Sequence, residues 1–164
     1  MRIGVISDTH FHTNRERLPG KVIEDLSTVD LIVHCGDFCE YLVFESLERI
    51  GKQKVLGVSG NMDSEEIKRK LPKRVIFEVQ GHQIGVMHGS GPPQGIEERI
   101  QNAFRDIDKI DLIIYGHTHA PANHFRSGIR FFNPGSPTDK RFAKYNSYGI
   151  LTIEDEITGE IIQI

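Results

Sequence analysis

The stretch Ile3-Gly4-Val5-Ile6-Ser7-Asp8-Thr9-His10 decides how the rest of the chain is read. A short apolar run with β-branched residues has the character of a buried strand, and this one passes directly into side chains able to hold a metal ion. The arrangement recurs down the chain. Leu31 to Val33 leads to Gly36-Asp37, Val55 to Val58 to Gly60-Asn61, Ile84 to Met87 to His88-Gly89, and Leu112 to Tyr115 to Gly116-His117-Thr118-His119. Val75 to Val79 is a further expected strand. Amphipathic segments at Pro19 to Leu26, Tyr41 to Ile50, Glu65 to Leu71 and Ile96 to Ile107 are expected helices, the third capped by Ser64. The first half therefore reads βαβαβ, which implies parallel pairing with right-handed crossovers. In the second half Gln80-Gly81 and Ser127-Gly128 have the character of tight turns, and Ser147 to Ile164 that of another antiparallel pair. The expected architecture is α/β: two packed sheets with helices outside.

Composition narrows the function. The 164 residues suit one compact domain, 1–164, large enough to hold a rigid site. A net charge of −3 provides no basic field for tracking nucleic acid. The apolar run Met1 to Ser7 is too short for a signal sequence or membrane span, and no later run is longer, so a cytoplasmic protein is expected. Cys35 and Cys39 have no second Cys/His pair at zinc-finger spacing and read as reduced, small apolar residues. Oligomeric state leaves no mark, and a homo-oligomer is compatible with this composition.

The chemistry collects at the strand ends. In open α/β sheets ligands bind outside the carboxyl ends of the strands, so residues from 8 to 119 can converge there. Asp8 and His10, two apart in an expected extended segment, would point to one side, and so would His117 and His119. With Asp37, Asn61 and His88 they form a set of carboxylates, imidazoles and one neutral amide that suits Mn²⁺, Fe²⁺, Co²⁺ or Zn²⁺ better than Ca²⁺. Seven donors exceed the four of a structural zinc and suit two ions sharing a carboxylate, with positions open to water. A lone strand-end Asp is ordinarily a turn former and a lone His an ordinary surface or core residue; recurrence in five equivalent places outweighs that reading. His34 is expected to be buried and to orient Asp37, while His82 and His124 are expected to be solvated. Lys140, Arg141 and Lys144 are candidates for steering an anion, and Gly89 to Gly95 for lining the cleft.

In this order the residues resemble the calcineurin-like metallophosphoesterase family, whose pattern runs Asp-x-His, Gly-Asp, Gly-Asn, His, Gly-His-x-His. The likeness spans Asp8 to His119 and extends through Asn133-Pro134-Gly135-Ser136; the short chain is most similar to the small bacterial and archaeal phosphodiesterase branch. The resemblance implies a four-layer αββα sandwich of two mixed sheets flanked by helices. It also implies that Asp8, His10 and His119 hold one metal, that Asn61, His88 and His117 hold the other, and that Asp37 bridges them. Asp37, Asn61 and His88 would be the residues nearest catalysis. Mn²⁺ is the expected ion, with Ni²⁺, Zn²⁺, Fe²⁺ and Co²⁺ as alternatives. A hydroxide shared by two cations would attack phosphorus in line, acting on a small phosphodiester or other phosphoester. One position departs from the pattern. Where many relatives carry His after the Asn, this chain has Met62, which cannot protonate a leaving group. Asp63, His12 or metal-bound water are the remaining proton sources.

Two rival readings stand beside this one. The retromer subunit with this fold serves as a protein-binding scaffold, but a scaffold has no need of a complete ligand set. Two-metal amide or lactam hydrolases place their His-x-His pair before the other ligands, whereas here it comes last.

Overall fold

In the computed structural model, residues 1–13, 15–50, 54–139 and 141–164 are described. Three parallel strands, β1 (Arg2–Ile6), β2 (Leu31–His34) and β3 (Lys54–Gly57), follow the expected βαβαβ order. The intervening helices are α1 (Gly20–Leu26) and α2 (Tyr41–Glu48). Helix α3 (Glu65–Lys70) starts at Ser64, whose hydroxyl accepts from the Ile67 N–H, and leads to the hairpin β4 (Arg74–Val79) and β5 (His82–Met87). After α4 (Ile96–Ala103) come β6 (Leu112–Ile114) and the hairpins β7 (Ala122–Arg126) with β8 (Ile129–Asn133) and β9 (Ser147–Ile153) with β10 (Ile157–Gln163).

These strands make two mixed sheets, ordered β10-β9-β1-β2-β3 and β4-β5-β6-β8-β7. The C-terminal hairpin completes the first sheet: β9 runs antiparallel to β1, with Ile3 opposite Leu151, so the parallel trio carries an antiparallel flank. Both tight turns are where expected. Gln80 and Gly81 have φ of 50° and 80°, as do Ser127 and Gly128, which is the left-handed geometry of a two-residue hairpin turn. Helices α2 and α4 end at Glu48 and Ala103, short of the expected Ile50 and Ile107. Phe104 and Ile107 still pack on the second sheet, so the helical spacing of apolar residues persists into non-helical turns.

Strand alternation sorts the core into three layers. Ile3, Val5, Leu31, Val33, Ile84, Val86, Leu112, Ile114 and Phe132 meet between the sheets. Ile6 and Ile32 face the other way, against Val22, Leu26, Val43, Leu47 and Ile67 of α1 to α3. Ile113 and Phe131 meet Ile96 and Ile100 of α4. Burying each such side chain contributes roughly 1.5–3 kcal/mol, so this sorting holds the strands in register. The result is the four-layer αββα sandwich. Its consequence for function is positional, because β1, β2, β3, β5 and β6 deliver their carboxyl ends to one edge.

Candidate metal centre

The loops after β1 and β2 continue side by side beyond the sheet. Asp8 N–H donates to the Gly36 carbonyl and His10 N–H to that of Asp37, both at 3.0 Å. The backbone here is not extended. Asp8, His10, Asp37, His117 and His119 have φ between 49° and 71°, the left-handed region. Such conformations cost about 1–3 kcal/mol each in a non-glycine residue and persist only where surrounding contacts impose them. This corrects the expectation of extended pairs. Asp8 and His10 still converge, with Oδ1 3.8 Å from Nε2, but His117 and His119 diverge to opposite ends of the centre. Two glycines permit the crowding: a β-carbon at Gly60 would collide with the Asp37 carboxylate, and one at Gly116 with Ser7 Oγ.

Asp8 is fully buried, and its Oδ2 accepts the His117 backbone N–H at 3.0 Å. Its Oδ1 faces three imidazoles: His119 Nε2 at 3.3 Å, His10 Nε2 at 3.8 Å and His88 Nε2 at 3.9 Å. Asp37 takes the Met62 N–H on Oδ1 at 2.8 Å, leaving Oδ2 3.2 Å from His88 Nε2 and 3.8 Å from His10 Nε2. The remaining ring nitrogens set orientation. His88 Nδ1 donates to the Cys35 carbonyl at 2.7 Å, and His119 Nδ1 lies 2.7 Å from Asp139 Oδ2. At the rim, His117 Nδ1 lies 2.9 Å from the Asn61 side-chain oxygen, with its Nε2 2.8 Å from the Gly91 carbonyl. Five of the seven residues picked from the sequence thus bring their ligand atoms together, while Asn61 and His117 stand at the rim, the His117 ring 5.2 Å from that of His88. Two groups, Asp8-His10-His119 and Asp8-Asp37-His88, bring ligand atoms within 4.8 Å of one another.

The electrostatics suit cations. Burial would lower the His88 pKa, but the Asp37 contact and the charge of Asp8 outweigh it and raise it to about 9. Burial likewise opposes the rise at His119, where Asp8 and Asp139 lift the pKa to about 9. Burial holds His10 below its ordinary value. Asp8 and Asp37 stay below the usual carboxylate range against the penalty of burial, held there by the neighbouring histidines. Asp8 Oδ1 and His88 Nε2 are buried with no hydrogen-bond partner among the described residues. Their ion-pair contacts, His88 Nε2 to Asp37 Oδ2 at 3.2 Å and Asp8 Oδ1 to His119 Nε2 at 3.3 Å, do not satisfy them as hydrogen bonds, and two such buried atoms aimed into one space fit a divalent metal. Cys39 Sγ lies 3.5 Å from His10 Nδ1, but burial and the charge of Asp37 push its thiol up to about 12, leaving it a neutral neighbour.

One supporting residue carried no local signal. Asp139, twenty residues beyond His119, orients that ring and also accepts the N–H groups of Arg141, Phe142 and Ala143. Asp63 accepts N–H groups from Asp37, Cys39 and Gly60 at 3.1, 2.8 and 2.7 Å, so both its oxygens act as acceptors, while burial holds its carboxyl above the usual range. His34 is buried as expected, but it serves the loop and not Asp37 itself: Nδ1 accepts from Gly36 N–H, and Nε2 lies 3.1 Å from Thr9 Oγ1. His82 meets the Glu154 carbonyl and His124 the Glu97 carboxylate, both away from the centre. A cleft of about 600 Å³ opens beside His10, walled by His12, Met62, Thr138, Asp139 and Arg141. Lys144 is exposed, and Lys140 lies outside the described residues.

A two-sheet sandwich with carboxylates, imidazoles and an amide gathered at one edge defines a class, the metal-dependent phosphoester hydrolases. The sequence model of the calcineurin-like phosphoesterase superfamily domain matches residues 1–156, and the chain belongs to that family. It is 38% identical to a probable metallophosphoesterase of Methanocaldococcus jannaschii, over 100% of this chain and 82% of the relative. It is 27% identical to a phosphodiesterase of the same organism, over 82% of this chain and 83% of that one. A crystal structure of Vps29 from Entamoeba histolytica shares the fold, with a TM-score of 0.79 at 24% identity, covering 100% of this chain and 99% of that one.

Proposed function

We propose that this chain is a phosphodiesterase using two divalent ions, Mn²⁺ foremost. Asp8, His10 and His119 would hold one ion, Asn61, His88 and His117 the other, and Asp37 would lie between them. The observation that carries this reading is a pair of buried atoms without a hydrogen bond, Asp8 Oδ1 and His88 Nε2, facing one space among the other candidate ligands. Ions bound there supply charge stabilisation for phosphoryl oxygens and activate water. The protein's own contribution is orientation. The Cys35 carbonyl and the Asp139 carboxylate engage the Nδ1 atoms of His88 and His119, directing Nε2 inward. Asn61 adds a neutral oxygen, which keeps the site from becoming anionic enough to repel substrate.

Leaving-group protonation is the weak point of the site. Met62 stands at the mouth, 56% exposed and unable to donate, and Asp63 is occupied by three N–H donors. His12, exposed on the cleft wall, is a candidate donor there. General acid catalysis contributes roughly 10²- to 10⁴-fold, so activated esters should be favoured over alkyl monoesters. Introducing Met62→His should raise turnover of poor leaving groups relative to good ones; an unchanged ratio would remove this explanation.

The primary test is hydrolysis of bis-p-nitrophenyl phosphate by metal-stripped protein titrated with Mn²⁺, Ni²⁺, Zn²⁺ or Mg²⁺, with Asp37→Ala as control. Metal-dependent turnover lost in the control is expected. A folded protein inactive with every metal would favour the scaffold reading, which the likeness to Vps29 keeps in view. Residues 1–164 are read as one domain, and the free, buried Cys35 and Cys39 accord with a reducing, cytoplasmic setting.

A further inference from the structure

Two large apolar side chains stand exposed beside the centre, Met62 at 56% and Phe142 at 77%. The Phe142 ring lies 5.6 Å from that of His119 and perpendicular to it. Its position is imposed by the frame that holds the centre. Asp139 accepts the backbone N–H groups of Arg141, Phe142 and Ala143 at 2.9, 2.8 and 2.6 Å, while its carboxylate also lies 2.7 Å from His119 Nδ1. The Asn146 amide donates to the Asp139 carbonyl at 2.6 Å and closes the turn. A single exposed ring is ordinary on a protein surface. Here, however, the carboxylate that orients a candidate metal-binding imidazole also sets the place of the ring. Arg141, the residue before Phe142, lines the cleft beside His10 together with Met62, adding a positive charge and an apolar wall next to the ring.

We propose that Phe142 forms a subsite for a flat aromatic substituent of the phosphoester, so that the substrates are diesters bearing an aryl group or a nucleobase. This inference rests on the phosphodiesterase reading and narrows it. A phosphoryl group at the centre places an ester substituent within reach of a ring one side chain away from His119. Stacked or edge-on aromatic contact then favours a flat substituent over an alkyl one.

The test uses full-length Mn²⁺-loaded protein and two substrates with one leaving group, phenyl p-nitrophenyl phosphate and methyl p-nitrophenyl phosphate. Their kcat/KM ratio isolates the second ester group. Phe142→Ala and Phe142→Leu should each lower the phenyl-to-methyl ratio by about fivefold to tenfold, and Phe142→Tyr should restore it. Phe125→Ala, at an exposed ring on β7 away from the centre, should leave the ratio unchanged. A p-nitrophenyl ester of thymidine 5′-phosphate then separates a nucleobase from a simple aryl group. An unchanged ratio in Phe142→Ala overturns the subsite, as does a Phe142→Leu protein that behaves like wild type. Should neither ester be turned over, the phosphodiesterase reading has failed, and calorimetry still judges the subsite. Tighter binding of phenylphosphonate than methylphosphonate, lost in Phe142→Ala, supports it; equal affinities refute it.

Discussion

At the scale of single residues, the centre is a set of groups whose protonation and orientation are interdependent. Asp139 illustrates the orientation. Losing the carboxylate that holds a ligand histidine typically costs 10- to 100-fold in metal affinity. Asp139→Asn should therefore weaken Mn²⁺ binding by about that factor, measured by calorimetric titration of the metal-free protein, with secondary structure unchanged by circular dichroism. Protonation follows from His88 and His119, both raised from 6.5 to about 9 in the metal-free protein. A raised pKa stabilises the folded state fully below pH 6.5, and that contribution is lost as pH rises through about 9. The melting temperature of metal-free protein should fall across this window. Metal requires both rings neutral, so binding near pH 7 should release protons, and the release should vanish above pH 9. Titrations in buffers of different ionisation enthalpy read this directly. Proton release independent of pH would show that other groups control uptake.

At the scale of elements, the strand-end loops hold the site, and Asp63 ties two of them together. It takes N–H groups from Asp37 and Cys39 after β2 and from Gly60 after β3. Asp63→Asn would turn an amide NH₂ toward donors that need an acceptor, a loss of roughly 2–3 kcal/mol. Urea unfolding should report that decrease, with metal affinity falling alongside because Asp37 sits on the same loop. A stability loss with unchanged metal affinity would confine Asp63 to scaffolding. Sequence reading located these loops correctly because each follows an apolar run and contains glycine. It left Asp63 as one of three possible proton sources, beside His12 and metal-bound water; only the contacts reveal that both its oxygens accept backbone N–H groups.

At the scale of the whole molecule, the layer between the sheets keeps β1, β2, β3, β5 and β6 ending at one edge. Phe132 is fully buried there, packed so closely against the backbone of β9 and β10 that β-carbons at Gly149 or Gly159 would strike its ring. Phe132→Ala should cost about 3–5 kcal/mol in urea unfolding. Metal affinity should also decrease, since the two sheets carry different halves of the centre: Asp8, Asp37 and Asn61 follow strands of one, His88, His117 and His119 those of the other.

The sequence by itself determined the strands, most of the helical extent, the two hairpin turns and all seven candidate ligands. Those features rest on local periodicity and on residue types placed just beyond each apolar run. The tertiary structure decided how the ligands are aimed. Left-handed backbone at Asp8, His10, Asp37, His117 and His119 is imposed by contacts between loops, so spacing alone wrongly placed His117 and His119 side by side. It also decided the partners. Asp139 beside His119, Asp63 beneath Asp37 and the pairing of β9 with β1 each join groups that are neighbours only after the two sheets have packed.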